Sequence, residues 1–253
     1  MSKISLTFLL SFCSFTSIFS QSFDHTHKLW DQVLKKNVNQ GLVNYQGIEK
    51  DSSIFKSYLS TLSSVSESEY SSFSQSQKIA FLINAYNAFT IQLILDHYPL
   101  KSITDIGSPF SKLNLVRGTP WKKDFFTLLG KVRNLDWIEH EKLRKDFNEP
   151  RIHFAIVCAS IGCPSLSSDA YTGSSLSTQL QTSKLNFLKN PTKNSYDKTK
   201  NVLALSKIFD WFKGDFTKNG TLIEFIQEGF TEKIPADALI EYNDYSWRLN
   251  EQK

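Results

Sequence analysis

The sequence contains little cysteine, methionine, glycine or proline, and long runs of one charge are missing altogether. Its 253 residues include three cysteines, one methionine, ten glycines and seven prolines. So few glycines and prolines exclude collagen-like and low-complexity chains. Lysine and arginine never form a run longer than two residues, so the net charge of +4 is not concentrated into a nucleic-acid footprint. We therefore expect no nucleic-acid partner.

Motifs of several common enzyme classes are also missing from the chain. It has no phosphate loop, no G-x-G-x-x-G, no G-x-S-x-G and no H-E-x-x-H pattern. Their absence argues against nucleotide-dependent chemistry, a serine hydrolase of the elbow type and a zincin peptidase. We predict no cofactor and no metal site. The 40% hydrophobic content is sufficient for a real core.

The N-terminus has the pattern of a signal peptide. Met1–Ser20 has one basic residue, then an apolar run over Ile4–Phe15, then small residues. The run is too short to span a bilayer, which takes about 20 residues, and a bulky residue before Cys13 argues against a lipoprotein anchor. We predict cleavage, export to the periplasm or the outside, no integral membrane span after cleavage, and a single domain over residues 21–253.

Hydrophobic periodicity in the mature chain predicts mostly helices and a few short strands. Ser74 and Gln77 form a capping box ahead of a long apolar helix. The main predicted elements are helices at about Gln75–His97, Asp136–Phe147 and Ser174–Phe187, a hairpin within Trp121–Val132, and strands at Arg151–Ala159, Val202–Leu205 and Leu239–Leu249. We expect an α+β fold, a single helix-rich domain with a small, mostly antiparallel sheet.

Several stretches together resemble the family catalogued as domain of unknown function 547. They are Gly41–Tyr45, Phe81–Ala88, Leu135–His140, Pro150–Ala155 with Cys158, Cys163-Pro164, Ala170-Tyr171, Ser206–Phe212 and Tyr242–Asn250. The resemblance extends over nearly all of the mature chain. The family has no settled activity; one hypothesis that the resemblance implies is a cysteine-peptidase-like fold and site built from Glu, His and Cys.

The residues between Glu139 and Cys163 contain every ingredient of such a site. A cysteine needs a base or a positive neighbour to become a thiolate, and a carboxylate commonly orients the imidazole. The hypothesis is therefore a cysteine-dependent amide or ester hydrolase or transferase, with Cys158 as nucleophile and Glu139 orienting a histidine. His140 and His153 compete for the role of base. Cys163 is the reserve nucleophile.

Strand alternation bears on the choice between the two histidines. On a strand, His153 and Cys158 point to opposite faces, so a direct pair requires a bulge or a strand that ends before the cysteine. His140 belongs to a separate element that can cross the end of that strand. Both histidines stay open as the base.

Each candidate also has a structural interpretation. An exported chain with two mature cysteines can join Cys158 to Cys163 in a disulfide, and Glu139 can simply pair with Arg144 or Arg151. The alternative function is then a noncatalytic binding or scaffolding module of the cell envelope. Zinc held by both histidines and both cysteines is a weaker reading, because C-x4-C is looser than the usual spacing.

Three further polar residues are candidates for substrate contact or for structure. Asn84 and Asn87 lie three apart on the long apolar helix, and buried amides need partners. We expect them to hold neighbouring loops. Arg151 is the third, as a structural or substrate-side charge.

The signal-peptide pattern generates the first testable prediction. The exported protein is expected to begin at Gln21, because cleavage after Ser20 follows the apolar run. Intact-mass measurement and N-terminal sequencing of protein recovered from outside the cytoplasm check this. An exported protein that begins at Met1 contradicts it.

Overall fold

The structure, a computed structural model, describes residues 22–106 and 119–252. The predicted signal peptide Met1–Ser20, which contains Cys13, lies outside the described residues.

Helices form most of the regular structure, and the strands are short. The α-helices are α1 (Lys28–Asn37), α2 (Tyr45–Lys50), α3 (Ser53–Ser64), α4 (Glu67–Ser72), α5 (Gln75–Leu95), α6 (Arg144–Asp146), α7 (Leu176–Leu188), α8 (Ile208–Trp211), α9 (Lys213–Phe216) and α10 (Leu222–Ile226). A π-helix spans Trp137–Leu143, and 3-10 helices span Ile103–Asp105, Pro120–Lys122, Pro150–Phe154 and Gln227–Gly229. The strands are β1 (Val38–Asn39), β2 (Leu42–Val43), β3 (Phe126–Leu128), β4 (Lys131–Arg133), β5 (Ser195–Asp197), β6 (Val202–Leu205) and β7 (Leu239–Tyr242). The predicted α+β class is confirmed.

The strands described lie in three small sheets rather than in one. Strands β1–β2 and β3–β4 are antiparallel pairs, whereas the third sheet has the order β5–β6–β7. Strand β6 pairs antiparallel with β5 and parallel with β7. The predicted hairpin turns at Leu129 and Gly130, which both have positive φ, the geometry of a two-residue type I′ turn.

The long helix α5 is the centre of the fold. The predicted capping box is present, since Ser74 accepts from the Gln77 amide and the Gln77 side chain accepts from Ser74 N–H. Apolar residues surround the helix on nearly all sides, which is typical of a helix buried in a protein core. Among the described residues it is the one helix long and apolar enough to cross a bilayer, and most of it is buried within the protein.

The segment 151–159 was predicted as a strand, and this prediction is wrong. Pro150 stands at the first position of a 3-10 helix that runs to Phe154, where its fixed φ suits a helical start. The Glu149 side chain accepts from the Arg151 amide at 3.2 Å and caps that start. The apolar run is buried as expected, but it forms a helical turn followed by irregular chain instead of a strand.

Side-chain amides of α5 replace the missing sheet partners of the neighbouring loops. Asn87 donates from Nδ2 to the Ala155 carbonyl and accepts at Oδ1 from the Val157 amide, both at 2.9 Å. Asn84 does the same for Tyr171, donating to its carbonyl at 2.7 Å and accepting from its amide at 3.0 Å. Both side chains are almost fully buried. Each amide therefore satisfies one carbonyl and one N–H group in the interior.

Two clusters of buried apolar side chains meet at the 150–158 segment. The larger cluster surrounds α5 and includes Ala155, whereas the smaller one surrounds β6 and α8 and includes the preceding residue, Phe154. Tyr245, near the C-terminus, packs against both. The segment that carries His153 and Cys158 thus passes between the clusters.

The role of Asn87 generates a stability prediction. Asn87→Ala is expected to lower the free energy of unfolding by about 2–4 kcal/mol, because it leaves one buried carbonyl and one buried N–H group without partners. Urea titration of the variant checks this, with the exposed Asn219→Ala as control. An Asn87→Ala variant as stable as the control contradicts the assigned role.

Candidate active site

The five residues singled out for catalysis line one pocket of about 200 Å³. Glu139 and His140 lie on the π-helix, His153 on the 3-10 helix that follows Pro150, and Cys158 and Cys163 on the loop beyond it. Most of the remaining wall is aromatic, formed by Tyr86, Trp121, Trp211, Phe212, Tyr245 and Trp247. Residues that are far apart in the chain therefore share one cavity between the two apolar clusters.

A disulfide between Cys158 and Cys163 forms part of the pocket wall. The Tyr245 hydroxyl lies 3.2 Å from Sγ of Cys158 and 3.1 Å from Sγ of Cys163. The Ser160 hydroxyl lies 3.3 Å from both sulfurs. Cys163 is 3% exposed, whereas Cys158 is only half-buried. In this oxidised state neither sulfur is a nucleophile, and Cys158 is the more exposed of the two cysteines.

The C-terminal tail holds the loop that bears the disulfide. The amides of Ile161 and Gly162 donate to the carbonyls of Arg248 and Ser246, each at 2.8 Å. A side chain at Gly162 would meet the ring of Tyr245 at 2.7 Å, so only glycine permits this approach.

A lysine side chain also holds the loop that bears the disulfide. The Lys193 ammonium group donates to the carbonyl oxygens of Ile161, at 3.0 Å, and of Cys163. Burial lowers the pKa of Lys193 to about 8. The loop is thus bonded both to the C-terminal tail and to the side chain of Lys193.

His153 is oriented by Asp215. Its Nε2–H donates to Oδ2 of Asp215 at 2.8 Å, and its ring stacks on Phe212 with centroids 4.0 Å apart. This hydrogen bond, supported by Arg144 at 2.6 Å, holds the pKa of Asp215 well below its usual range. Burial lowers the pKa of His153, although Asp215 opposes the shift. The imidazole is therefore neutral near pH 7, with its proton on Nε2.

The other ring nitrogen of His153 is available as a base. Nδ1 is buried, has no hydrogen-bond partner among the described residues, and lies 4.0 Å from Oε1 of Glu139. A neutral imidazole with Nε2 protonated carries its lone pair on Nδ1. The lone pair that can accept a proton is therefore on the side of Glu139.

His140 is held in a different state. Its Nδ1 lies 2.7 Å from an Arg144 nitrogen, and because arginine only donates, Nδ1 accepts and the proton is on Nε2. Burial is the main cause that lowers the pKa of His140; Arg144 acts in the same direction and Asp136 opposes it. Its basic nitrogen is thus already occupied by Arg144, which distinguishes it from His153.

Glu139 is a carboxyl group poised between its two protonation states. Burial raises its pKa to about 7, and repulsion from Asp136 and Asp215 adds to the effect, whereas Arg144 opposes it. The neighbouring Tyr86 hydroxyl favours the ionised form. A carboxyl group of this kind can donate or accept a proton near neutral pH.

The remaining candidates lie outside the pocket wall. Asn84 and Asn87 bond to backbone groups of adjacent loops, as described above. Arg151 forms a two-point ion pair with Glu149, with Nε–Oε1 at 2.7 Å and Nη2–Oε2 at 2.6 Å. Glu139 pairs with neither of the arginines considered for it, since Arg144 bonds instead to Asp215.

Two important residues were missed in the sequence. Asp215 orients His153, and Tyr245 covers the disulfide. The available signal for Asp215 was an acidic residue between Phe212 and Phe216, in a segment that otherwise reads as core. The available signal for Tyr245 was its place in the tail Tyr242–Asn250, one of the stretches that carry the family resemblance.

The zinc interpretation is not supported by the arrangement of its four ligands. In the part of the chain that the structure describes, no three His, Cys, Asp or Glu side chains are grouped to hold a metal ion. The two cysteines bond to each other instead.

Fold and site together define an α+β protein whose buried acid–base pocket is closed on one side by a disulfide. Residues 70–188 match the family described as "Protein of unknown function, DUF547". The match covers about half of the chain, so the prediction of a resemblance over nearly all of the mature chain is corrected. The matched part contains Glu139, both histidines and both cysteines, whereas Asp215 and Tyr245 lie beyond it. No curated protein and no solved structure matches the chain.

The pKa of Glu139 generates a pH-dependent prediction. A carboxyl whose pKa rises from 4.5 to about 7 on folding stabilises the protein fully below pH 4.5, and this contribution is lost as the pH rises to 7. Relative to the wild type, Glu139→Gln is therefore expected to gain on the order of 3 kcal/mol of unfolding free energy between pH 4.5 and 8.

Urea denaturation of both proteins at these two pH values measures the gain. The exposed substitution Glu241→Gln serves as control and is expected to run parallel to the wild type. Parallel profiles for Glu139→Gln and the wild type contradict the buried, shifted carboxyl.

Proposed function

We propose that this pocket is the active site of an exported cysteine-dependent hydrolase or transferase acting on an amide or ester. The observation that carries the proposal is the His153–Asp215 pair, because His153 has an unpartnered Nδ1 and lines the same pocket as Cys158. A histidine oriented by a carboxylate and a cysteine are the groups that nucleophilic catalysis by a thiolate requires. Asp215 takes the orienting role that the sequence assigned to Glu139.

The disulfide is the resting state in this proposal. Two equivalents of a low-molecular-weight thiol, or one dithiol protein, reduce it to the two cysteine thiols and are themselves oxidised to a disulfide. The incoming thiolate attacks the more accessible Cys158 sulfur. Cys163 leaves as the thiolate, which the Cys158 N–H, 3.0 Å from its sulfur, stabilises. Reduction thus makes Cys158 available as a nucleophile.

The catalytic cycle then uses groups already present in the pocket. Nδ1 of His153 accepts the Cys158 thiol proton, and the Asp215 carboxylate stabilises the imidazolium that forms. The thiolate attacks the carbonyl carbon, and protonated Glu139 donates a hydrogen bond to the developing oxyanion. The imidazolium returns its proton to the leaving amine or alcohol. Water, or a second acceptor, releases the acyl group from Cys158 with His153 again as base.

The disulfide itself favours a second candidate, a noncatalytic envelope binding module. A bond between Cys158 and Cys163 that persists in functional protein makes the loop a rigid wall of a binding pocket. The two candidate functions can be distinguished by experiment, because a binding module needs no reduction and has no reactive thiol.

The alkylation rate of Cys158 tests the proposal without knowledge of the substrate. In a Cys163→Ser protein, which cannot form the disulfide, iodoacetamide modification of the Cys158 peptide is followed by mass spectrometry across pH. The thiol is expected to titrate well below the ordinary pKa of about 8.5. His153→Gln in the same background is expected to slow the reaction at pH 7 about tenfold, through a rise of about one pKa unit.

The matched control is His140→Gln, which changes the other histidine of the same pocket and is expected to have little effect. If His140→Gln slows the alkylation of Cys158 and His153→Gln does not, His140 is the base. The catalytic proposal is overturned in favour of the binding module if neither variant slows the alkylation of Cys158. It is also overturned if the function of the wild-type protein persists with both cysteines fully disulfide-bonded.

A further inference from the structure

Four aromatic side chains form a continuous shelf along one side of the pocket. The aromatic shelf consists of Trp121, Trp211, Tyr245 and Trp247, which come from three separate parts of the chain. Their ring centroids lie 4.6–5.9 Å apart: Tyr245–Trp247 at 4.6 Å, Tyr245–Trp211 at 4.8 Å, Trp121–Trp247 at 5.7 Å and Trp211–Trp247 at 5.9 Å. The mechanism proposed above makes no use of the three tryptophans.

The ring spacing decides what kind of ligand the shelf can accept. At these separations the rings contact each other, so no group fits between them. An aromatic cage for a quaternary ammonium ion is excluded, because such a cage needs space between its walls. A ligand can only lie on the outward faces of the rings. Trp211 is 47% exposed, which leaves such a face available.

Two polar side chains, His140 and Asp136, line the same pocket as the shelf. Nε2 of His140 and Oδ1 of Asp136 are 3.6 Å apart, beyond a direct hydrogen bond, and both side chains are about one-third exposed (35% and 31%). Nε2–H of His140 is a donor and the Asp136 carboxylate an acceptor, so both keep capacity for a ligand. Groups that donate and accept at once, such as hydroxyls, satisfy this pair best.

The charge and size of the pocket narrow the ligand further. The pocket wall, as far as the described residues form it, contains no lysine or arginine, which disfavours a phosphate or carboxylate ligand. A purely aromatic ligand would leave the polar side chains of His140 and Asp136 desolvated and without hydrogen-bond partners. A volume of about 200 Å³ is below the roughly 300–1,000 Å³ of sites for drug-sized ligands, so it accommodates a single ring.

We propose that the aromatic shelf binds a neutral sugar ring of a glycan. One face of a pyranose ring presents C–H groups that can lie flat on indole, while its edge presents hydroxyls to His140 and Asp136. As a statement about catalysis, this inference rests on the proposed function and names its substrate class: a glycan that carries an ester or an amide next to the bound ring. Binding of the ring itself requires neither a free thiol nor turnover.

Titration with defined oligosaccharides tests the inference. The wild-type protein is titrated with chitotetraose, cellotetraose, the anionic tetragalacturonate and tetra-alanine, and tryptophan fluorescence and calorimetry report binding. At least one neutral oligosaccharide is expected to bind saturably and more tightly than the anionic sugar and the peptide. Trp211→Ala is expected to weaken that affinity at least about tenfold, a loss of about 1.4 kcal/mol.

Leu239→Ala is the matched control, since Leu239 is 59% exposed on β7 and does not line the pocket. It is expected to bind as the wild type does. The inference is overturned if neither neutral oligosaccharide binds, if the peptide or the anionic sugar binds more tightly, or if Trp211→Ala binds as well as the control.

Two separate measurements distinguish this inference from the proposed function: oligosaccharide titration of the disulfide-bonded wild-type protein, and alkylation of Cys158 in the Cys163→Ser protein. The wild-type protein is expected to bind the oligosaccharide although it has no free thiol at Cys158. Binding in a protein whose Cys158 shows no activation leaves the shelf assignment intact and refutes the catalytic proposal. An activated Cys158 in a protein that binds no sugar refutes the shelf assignment alone.

Discussion

The chain from His153 to Cys158 runs through the interior without a strand beside it, and one amide side chain makes this possible. Asn87 bonds to both the Ala155 carbonyl and the Val157 amide, which would otherwise be buried without partners. The amide can do so because it projects from α5, a 21-residue helix that is buried almost completely. The positions of the imidazole and of the disulfide therefore follow from the packing of a helix that contributes only Tyr86 to the pocket wall.

Burial shifts the pKa of the acidic group of the pocket and the pKa values of its two histidines in opposite directions. It raises the pKa of Glu139 and lowers the pKa values of His140 and His153, so all three groups tend towards their neutral forms. Asp215 is the exception, because hydrogen bonds from His153 and Arg144 keep it ionised. The ionised Asp215 thus orients the neutral His153. Glu139, whose pKa is about 7, has its Oε1 atom 4.0 Å from Nδ1 of His153. Separated acid and base roles of this kind are a common property of active sites.

The C-terminal tail contributes to both the chemistry and the recognition that we propose. Tyr245 contacts both sulfurs of the disulfide and is also part of the aromatic shelf, so the tail links the thiol site to the face on which a ring would lie. The tail's backbone also holds Ile161 and Gly162 in place. In the function that we propose, the shelf would bind one group of the substrate and Cys158 would attack the bond next to it.

The α+β class, the capped helix at α5, the hairpin within Trp121–Val132 and the resemblance to the family that residues 70–188 match could all be predicted from the sequence. These features depend on local periodicity, capping and turn chemistry, which neighbouring residues encode. That 151–159 is not a strand could be learned from the tertiary structure alone, because the partner of its backbone groups is Asn87, which lies 68 residues or more away in the chain. It alone placed Asp215 against His153, 62 residues away, and Tyr245 over the cysteines. Such contacts leave no periodic trace in the chain, since they depend on how two apolar clusters close around one segment.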